Sequence, residues 1–242
     1  MTGAEIRFDP LLVPGTLLER SNRFLARVRL GSGAVPVHVP SSGRLRELLV
    51  PGAAVLVQPA PDQAKRRTGF TLIGVRHLRP QGAVWVCIHT GIANRLAGSM
   101  LRLGLLPGLE RFPTVRPEAT CGDSRLDFRL EDDRGRTGWV EVKCVTLAVE
   151  EQARFPDAPT VRGARHLRQL ARLARGGQEA AVLFVAQRDD VRAFAPNREQ
   201  DPDFADALKD ASEAGVAVHA LAAAMSPAGI EVVRSLPVRL DA

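Results

Sequence analysis

Tyrosine is absent from this 242-residue chain, tryptophan occurs twice, and aromatic residues make up only 5% of it. A broad aromatic surface for stacking unpaired bases is therefore not expected. Any nucleic-acid contact should fall on the backbone more than on base edges. Cysteine is also scarce. Cys87, Cys121 and Cys144 are an odd number with wide spacing, which argues against a disulfide framework or a zinc cluster and fits a reducing cytoplasm. No apolar run reaches the roughly 18 residues of a membrane-spanning helix, so no membrane partner is expected. Residues 1–8 lack the basic-then-apolar pattern of a secretory leader. A G-x-x-x-x-G-K-[ST] loop and a G-x-G-x-x-G turn after a strand are both missing. The five histidines are too dispersed for a zinc protease.

What is present is enough apolar material for a core: 45% of residues, with a mean hydropathy of −0.05. The formal net charge is +6 and the pI about 10.2, with Arg far outnumbering Lys. The surplus is unevenly placed. Residues 1–83 hold 12 Lys/Arg against 5 Asp/Glu, and the rest hold 21 against 22. A basic first third is the footprint of a polyanion-binding module; it also follows from a general bias toward Arg.

That first third reads as short strands separated by Gly and Pro, with a brief helix over 44–49. About five such strands point to a small barrel of the oligonucleotide-binding (OB) type. Arg23 and Arg27 lie on one alternating strand, Arg44 follows Gly43, and Lys65, Arg66 and Arg67 form a cationic loop. All six are candidate phosphate contacts, although the loop also reads as an ordinary solvated turn. Phe24 is expected in the core. The domain boundary is placed near residue 84, giving 1–83 and 84–242.

The second part alternates strands and helices, an α/β layout. Arg125 to Leu130 and Trp139 to Thr146 alternate with period two around a polar, Gly-bearing turn, so a hairpin is expected. Leu126, Phe128 and Leu130 should share one face, with Asp127 on the other beside Arg125 and Arg129. Val140, Val142 and Cys144 should point to the core. Glu141 and Lys143 then lie on the polar face, roughly 7 Å apart. Two carboxylates there could hold a hard divalent cation, Mg²⁺ or Mn²⁺, with the ammonium beside a water or phosphate oxygen. The same E-x-K pattern also forms a cross-strand salt bridge on a solvated strand. Further on, a helix should start after Thr160 and run to Arg175, with Leu167, Leu170, Ala171 and Ala174 inward. Residues 150–160 read as a charged, Pro-interrupted loop, and 107–117 as another loop.

Several short motifs occur in one order: Pro10-Leu11, Arg23-Phe24-Leu25-Ala26, Gly43-Arg44, Ala93-Asn94, Ser124-Arg125-Leu126-Asp127-Phe128, Val140-Glu141-Val142-Lys143, then Phe155-Pro156-Asp157-Ala158-Pro159-Thr160-Val161-Arg162-Gly163 and His166-Leu167-Arg168. In these the chain resembles the sugar fermentation stimulation protein A (SfsA) family, over about residues 8 to 235. The resemblance implies an OB-like barrel joined to a restriction-endonuclease-like domain of the PD-(D/E)xK kind, and a DNA partner. RNA stays open, since small barrels accept either. It also implies Asp127, Glu141 and Lys143 as a metal-and-water set, with Asp127 and Glu141 holding the metal. Arg162 and His166 are motif positions suited to a nucleic-acid contact, and Arg162 equally to a salt bridge with Asp157 or Glu150. The chain departs from the family pattern at Ser41-Ser42, where Asn-Thr is usual, and in the helix after Ala93-Asn94, where Gly98-Ser99-Met100 lacks the usual acid. Two functions follow: a metal-dependent nuclease, or a DNA-binding regulator that keeps the nuclease fold without turnover.

Overall fold

The alternating strands of the first third close on themselves. In the computed structural model, which describes residues 3–31, 33–60, 67–122 and 124–241, the opening strands are β1 (Glu5–Arg7), β2 (Val13–Asn22), β3 (Leu25–Leu30), β4 (Gly33–His38), β5 (Ala54–Pro59), β6 (Phe70–Arg79) and β7 (Gly82–Cys87). Strands β4, β3, β2, β5 and β6 pair in that order, and β4 then pairs with β6 through Val37↔Phe70 and His38↔Thr71. Five strands thus form a closed, OB-like barrel filled by Leu17, Val28, Val37, Val55 and Leu72. Residues 44–49 form a turn at 46–48 rather than a helix, with Leu45 at a positive φ of 49°. Leu45 and Leu48 nonetheless plug the barrel.

The expected boundary at residue 84 falls inside β7, which pairs with β6 and completes the N-terminal sheet. The chain leaves the barrel only at residues 88–89. The first strand is also not part of the barrel: β1 pairs with the last strand of the second sheet.

Beyond the junction come α1 (Thr90–Arg102), β8 (Thr114–Cys121), β9 (Ser124–Glu131), β10 (Thr137–Val145), β11 (Leu147–Val149), β12 (Gln152–Phe155), α2 (Val161–Arg175), β13 (Glu179–Ala186), β14 (Ala193–Pro196), α3 (Pro202–Glu213), β15 (Ala217–Ser226) and β16 (Gly229–Ser235). The seven-stranded sheet runs β1-β16-β15-β13-β10-β9-β8, with β10, β13 and β15 parallel. One face packs on α1 through Ile92, Leu96, Val140, Val142 and Leu183. The other packs on α2 and α3 through Leu167, Leu170, Val182, Phe184 and Phe204. Covered on both faces, β13 has to be apolar, and from Ala180 to Ala186 it is. No described helix is long and apolar enough to cross a membrane.

Helix α2 begins as its sequence requires: the Thr160 hydroxyl accepts the Gly163 N–H at 3.1 Å. Asp201 caps α3 through the Phe204 N–H and also accepts the Thr160 N–H at 2.7 Å, so the two helix starts are joined. Two expected loops are strands in part. Residues 147–155 form the hairpin β11–β12, turned by Glu150 and Glu151 at φ 48° and 61°; consecutive left-handed residues make the tight turn that hairpins favour. Residues 114–121 form β8, whose Pro117 is tolerated at the sheet edge. Barrel and α/β domain are tied by Arg79 at the end of β6, 3.1 Å from Asp190, which in turn pairs with Arg188.

Candidate functional site

Asp127 sits where the alternation of β9 fails. Leu126 joins the core under α2, whereas Phe128 and Leu130 join the core under α1. Pairing of β9 with β10 runs from Thr137↔Glu131 to Val140↔Phe128 and stops. At that point the side chain takes over from the backbone: Asp127 Oδ2 accepts the Val142 N–H at 2.7 Å. Its Oδ1 accepts from Asn94 Nδ2 on α1, also at 2.7 Å. Asp127 is therefore not aligned with Arg125 and Arg129 on a plain polar face. It bridges β10 and α1 in the gap where the two strands part.

Glu141 is not on a solvated face either. It is 4% exposed, beneath α2. Its Oε1 accepts from Lys143 Nζ at 2.7 Å and from His166 Nδ1 at 2.5 Å. Arg162 Nε donates to His166 Nε2 at 3.4 Å, and this network assigns the imidazole proton to Nδ1. The Glu141–Lys143 ion pair runs along one strand, not across two. Glu141 Oε2 is buried with no hydrogen-bond partner. Burial, then the charge of Glu141, pushes Asp127 above the usual carboxylate range. Burial acts on Glu141 in the same sense, but the hydrogen bond from His166 and the Lys143 ammonium outweigh it and hold its pKa low.

His166 is thus corrected from a nucleic-acid contact to a buried group that fixes Glu141. The sequence carries the signal: Gly163, His166, Leu167 and Leu170 follow the i, i+3, i+4, i+7 spacing of one helix face, and all four are buried. Gly163 leaves no room for a side chain, since a Cβ there would lie 2.7 Å from Thr160 Cγ2. Asn94, which orients Asp127, was legible only as a motif position.

Asn94 and the Asp127–Glu141–Lys143 set line a cleft of about 530 Å³ between the two domains. Asp127, Glu141 and Lys143 lie on the α/β side, with Phe155 to Thr160 and the exposed Arg162; Arg23 and Ser41 to Gly43 come from the barrel. The walls are tied together where Asp157 Oδ2 accepts the Arg44 N–H at 2.7 Å. A Cβ on Gly43 would meet that same oxygen at 2.7 Å. Asp157 is a strut between domains. Arg44 lines an adjoining hollow of about 430 Å³ with Arg20, Arg23 and Arg46. Arg20 braces it by donating to the carbonyls of Arg23, Gly43 and Arg44.

Arg27 is exposed but pairs with Glu19 at 3.8 Å and lines neither space. Arg67 is exposed on the barrel, also outside both. Lys65 and Arg66 lie outside the described residues. Phe24, expected in the core, is 51% exposed beside Arg23. Cys144 packs against the core as expected, and burial pushes its thiol up to about 12. Gly98, in the acid-free run Gly98-Ser99-Met100 of α1, has no room for a longer side chain without a shift, since a Cβ there would already meet the Phe128 ring at 3.2 Å. Among the described residues no group of three or more His, Cys, Asp or Glu is arranged to hold a metal.

A family model described as the sugar fermentation stimulation protein RE domain matches residues 91–229, and one described as the SfsA N-terminal OB domain matches residues 18–88. The chain is 43% identical to a sugar fermentation stimulation protein homolog of Symbiobacterium thermophilum, covering 99% of both chains. It is 39% identical to a homolog of Desulforamulus reducens, over 96% of this chain and 94% of that one. The structure of Pyrococcus furiosus SfsA in complex with Ca²⁺ superposes with a TM-score of 0.86, at 32% identity over 97% of this chain and 98% of that one. With its closed barrel, its α/β domain and these matches over nearly its whole length, the chain belongs to the sugar fermentation stimulation protein A family.

Proposed function

We propose that the protein binds DNA and hydrolyses its phosphodiester bonds with the help of Mg²⁺ or Mn²⁺ held by Asp127 and Glu141. The observation that carries this is Glu141 Oε2. A buried carboxylate oxygen without a donor, beside a second carboxylate, is costly unless a cation completes it. Two side-chain carboxylates suit Mg²⁺, which keeps several waters and is commonly held by one or two acids plus substrate phosphate. The Pyrococcus furiosus relative was solved with Ca²⁺, a hard cation with the same preference for oxygen, and this supports the reading.

When bound, such an ion supplies Lewis acidity at a phosphoryl oxygen and lowers the pKa of its water. The protein's own groups do the rest. Asn94 and the Val142 N–H hold Asp127 in place. His166, itself held by Arg162, fixes Glu141. Lys143 gives one N–H to Glu141 and keeps two for a water or phosphate oxygen. Arg23 and Arg162, exposed on opposite walls, meet flanking phosphates.

Highly purified protein should cut plasmid or oligonucleotide DNA in Mg²⁺ or Mn²⁺, with activity lost in Asp127→Ala and Lys143→Ala. Equal background in all three proteins would defeat the proposal. The lack of a third acid in the Gly98-Ser99-Met100 run of α1 favours a second reading, a DNA-binding regulator without turnover. That reading requires binding that is unchanged by EDTA and by Asp127→Asn.

A further inference from the structure

We infer, building on the phosphodiesterase reading, that the cleft takes a single nucleic-acid strand, or the unpaired end of a duplex, rather than an intact double helix. Three features point this way. The first is depth. Glu141 is 4% exposed and the Lys143 side chain 11%, so the reacting phosphate has to descend into the cleft. In a double helix the phosphates lie on a convex surface, and reaching a recessed floor requires unpaired nucleotides. The second is size. At about 530 Å³ the cleft is in the range of pockets that enclose one small ligand, about 300–1,000 Å³. Its walls are also joined by the Asp157–Arg44 hydrogen bond, which leaves a slot rather than an open trough.

The third feature is Phe24. It stands 51% exposed at the turn between β2 and β3, next to Arg23, which lines the cleft. Its own carbonyl accepts the Val39 N–H at 2.9 Å, so it is anchored to the segment that leads into Ser41. A half-exposed phenyl ring with an adjacent guanidinium is a stacking platform for one splayed base, and stacking tolerates any base because every base has a π face. In a chain poor in aromatics, this ring stands exposed at the turn whose Arg23 lines the cleft. The strand would stack a base on Phe24, neutralise phosphate with Arg23, and enter the cleft toward Lys143.

The test uses the full chain and matched labelled oligonucleotides: a DNA single strand, the same strand as a blunt duplex, a duplex with an unpaired overhang, and the corresponding RNA single strand. Binding is measured by fluorescence polarisation in Ca²⁺, and cleavage in Mg²⁺. The single strand and the overhang should bind at least about 10-fold tighter than the blunt duplex. Phe24→Ala should weaken single-strand binding about 5- to 100-fold and leave duplex binding unchanged, while Phe24→Trp keeps the preference. A matched melting curve shows that the Ala variant is folded. Binding of the RNA strand as tightly as the DNA strand also supports the inference and makes the single strand, not its sugar, the recognised feature. Equal affinity for blunt duplex and single strand, or an equal effect of Phe24→Ala on both, overturns it. If strand preference holds but nothing is cut, the phosphodiesterase reading falls and this one stands. Internal cutting of blunt duplex without strand preference gives the reverse.

Discussion

Two groups of buried charge sit in the same α/β domain and are built in opposite ways. At Arg188 and Asp190 both side chains are 2% exposed. Arg188 grips Asp190 through two hydrogen bonds of 2.6 Å and gives a third to the Thr146 carbonyl. Arg79 approaches the same carboxylate from the barrel. Both Asp190 oxygens are engaged, and the bidentate geometry is the strong form of such a pair. At Asp127 and Glu141 two anions face one ammonium and one imidazole, and Glu141 Oε2 is left over. The first group is complete without any outside molecule and holds the domains together. The second is short of positive charge, in a cleft that opens between barrel and α/β domain.

That contrast can be broken most decisively by stability. Asp190→Ala leaves Arg188 buried and uncompensated, and should cost about 3–5 kcal/mol in urea unfolding. Asp127→Asn removes a carboxylate whose charge is disfavoured by burial and by Glu141, so it should cost nothing or stabilise the metal-free protein. Similar losses in both variants would erase the distinction. Next in size is cation linkage. Mn²⁺ at 100 times its Kd should stabilise the wild type by about 2.7 kcal/mol, with no gain for Asp127→Asn. A wild-type melting curve unmoved by Mn²⁺ or Mg²⁺ in calorimetry would count against the metal reading.

His166→Ala should weaken cation binding about 10- to 100-fold, as read by isothermal titration, because Glu141 loses the group that orients it. An unchanged affinity would make His166 a packing residue only. The smallest effect is in acid, measured in EDTA. The hydrogen bonds and charge of Arg188 outweigh burial and hold Asp190 below the usual range. Its stabilisation is therefore full above its unfolded value near 4 and is lost as pH falls through the folded value. Asp127 has the opposite sign: its folded value is raised, so its penalty appears as pH rises above about 4. Asp190→Asn should flatten the acid loss of stability, and Asp127→Asn should deepen it.

Much of this was legible in the sequence because local rules decided it. Thr160 followed by a helical face gave α2, apolar runs gave β13, and Gly-punctuated alternation gave the barrel. The site triad was legible as residue types and spacing, but not as geometry. Period-two reasoning assumes an unbroken ladder, and at Asp127 a side chain replaces a ladder acceptor, so the face reverses. It also assumes one solvated face, whereas helices cover both, and Glu141 is buried as a result. Phe24 was misplaced because hydrophobicity alone cannot tell a core ring from one presented at a turn. The Arg188–Asp190 pair gave no periodic signal at all, and its meaning depends on Arg79, which is distant in sequence.

The pairing of Glu5–Arg7 with Gly229–Glu231 has a consequence during synthesis. The first strand leaves the ribosome with no partner, and its mate follows roughly 220 residues later, about 10–45 s at ~5–20 residues per second. The α/β sheet is therefore finished by a strand made before the barrel, and only after residues 229–231 have emerged. A fragment cut at the domain junction would retain β16 as an open edge, ready to recruit a strand from a neighbouring copy.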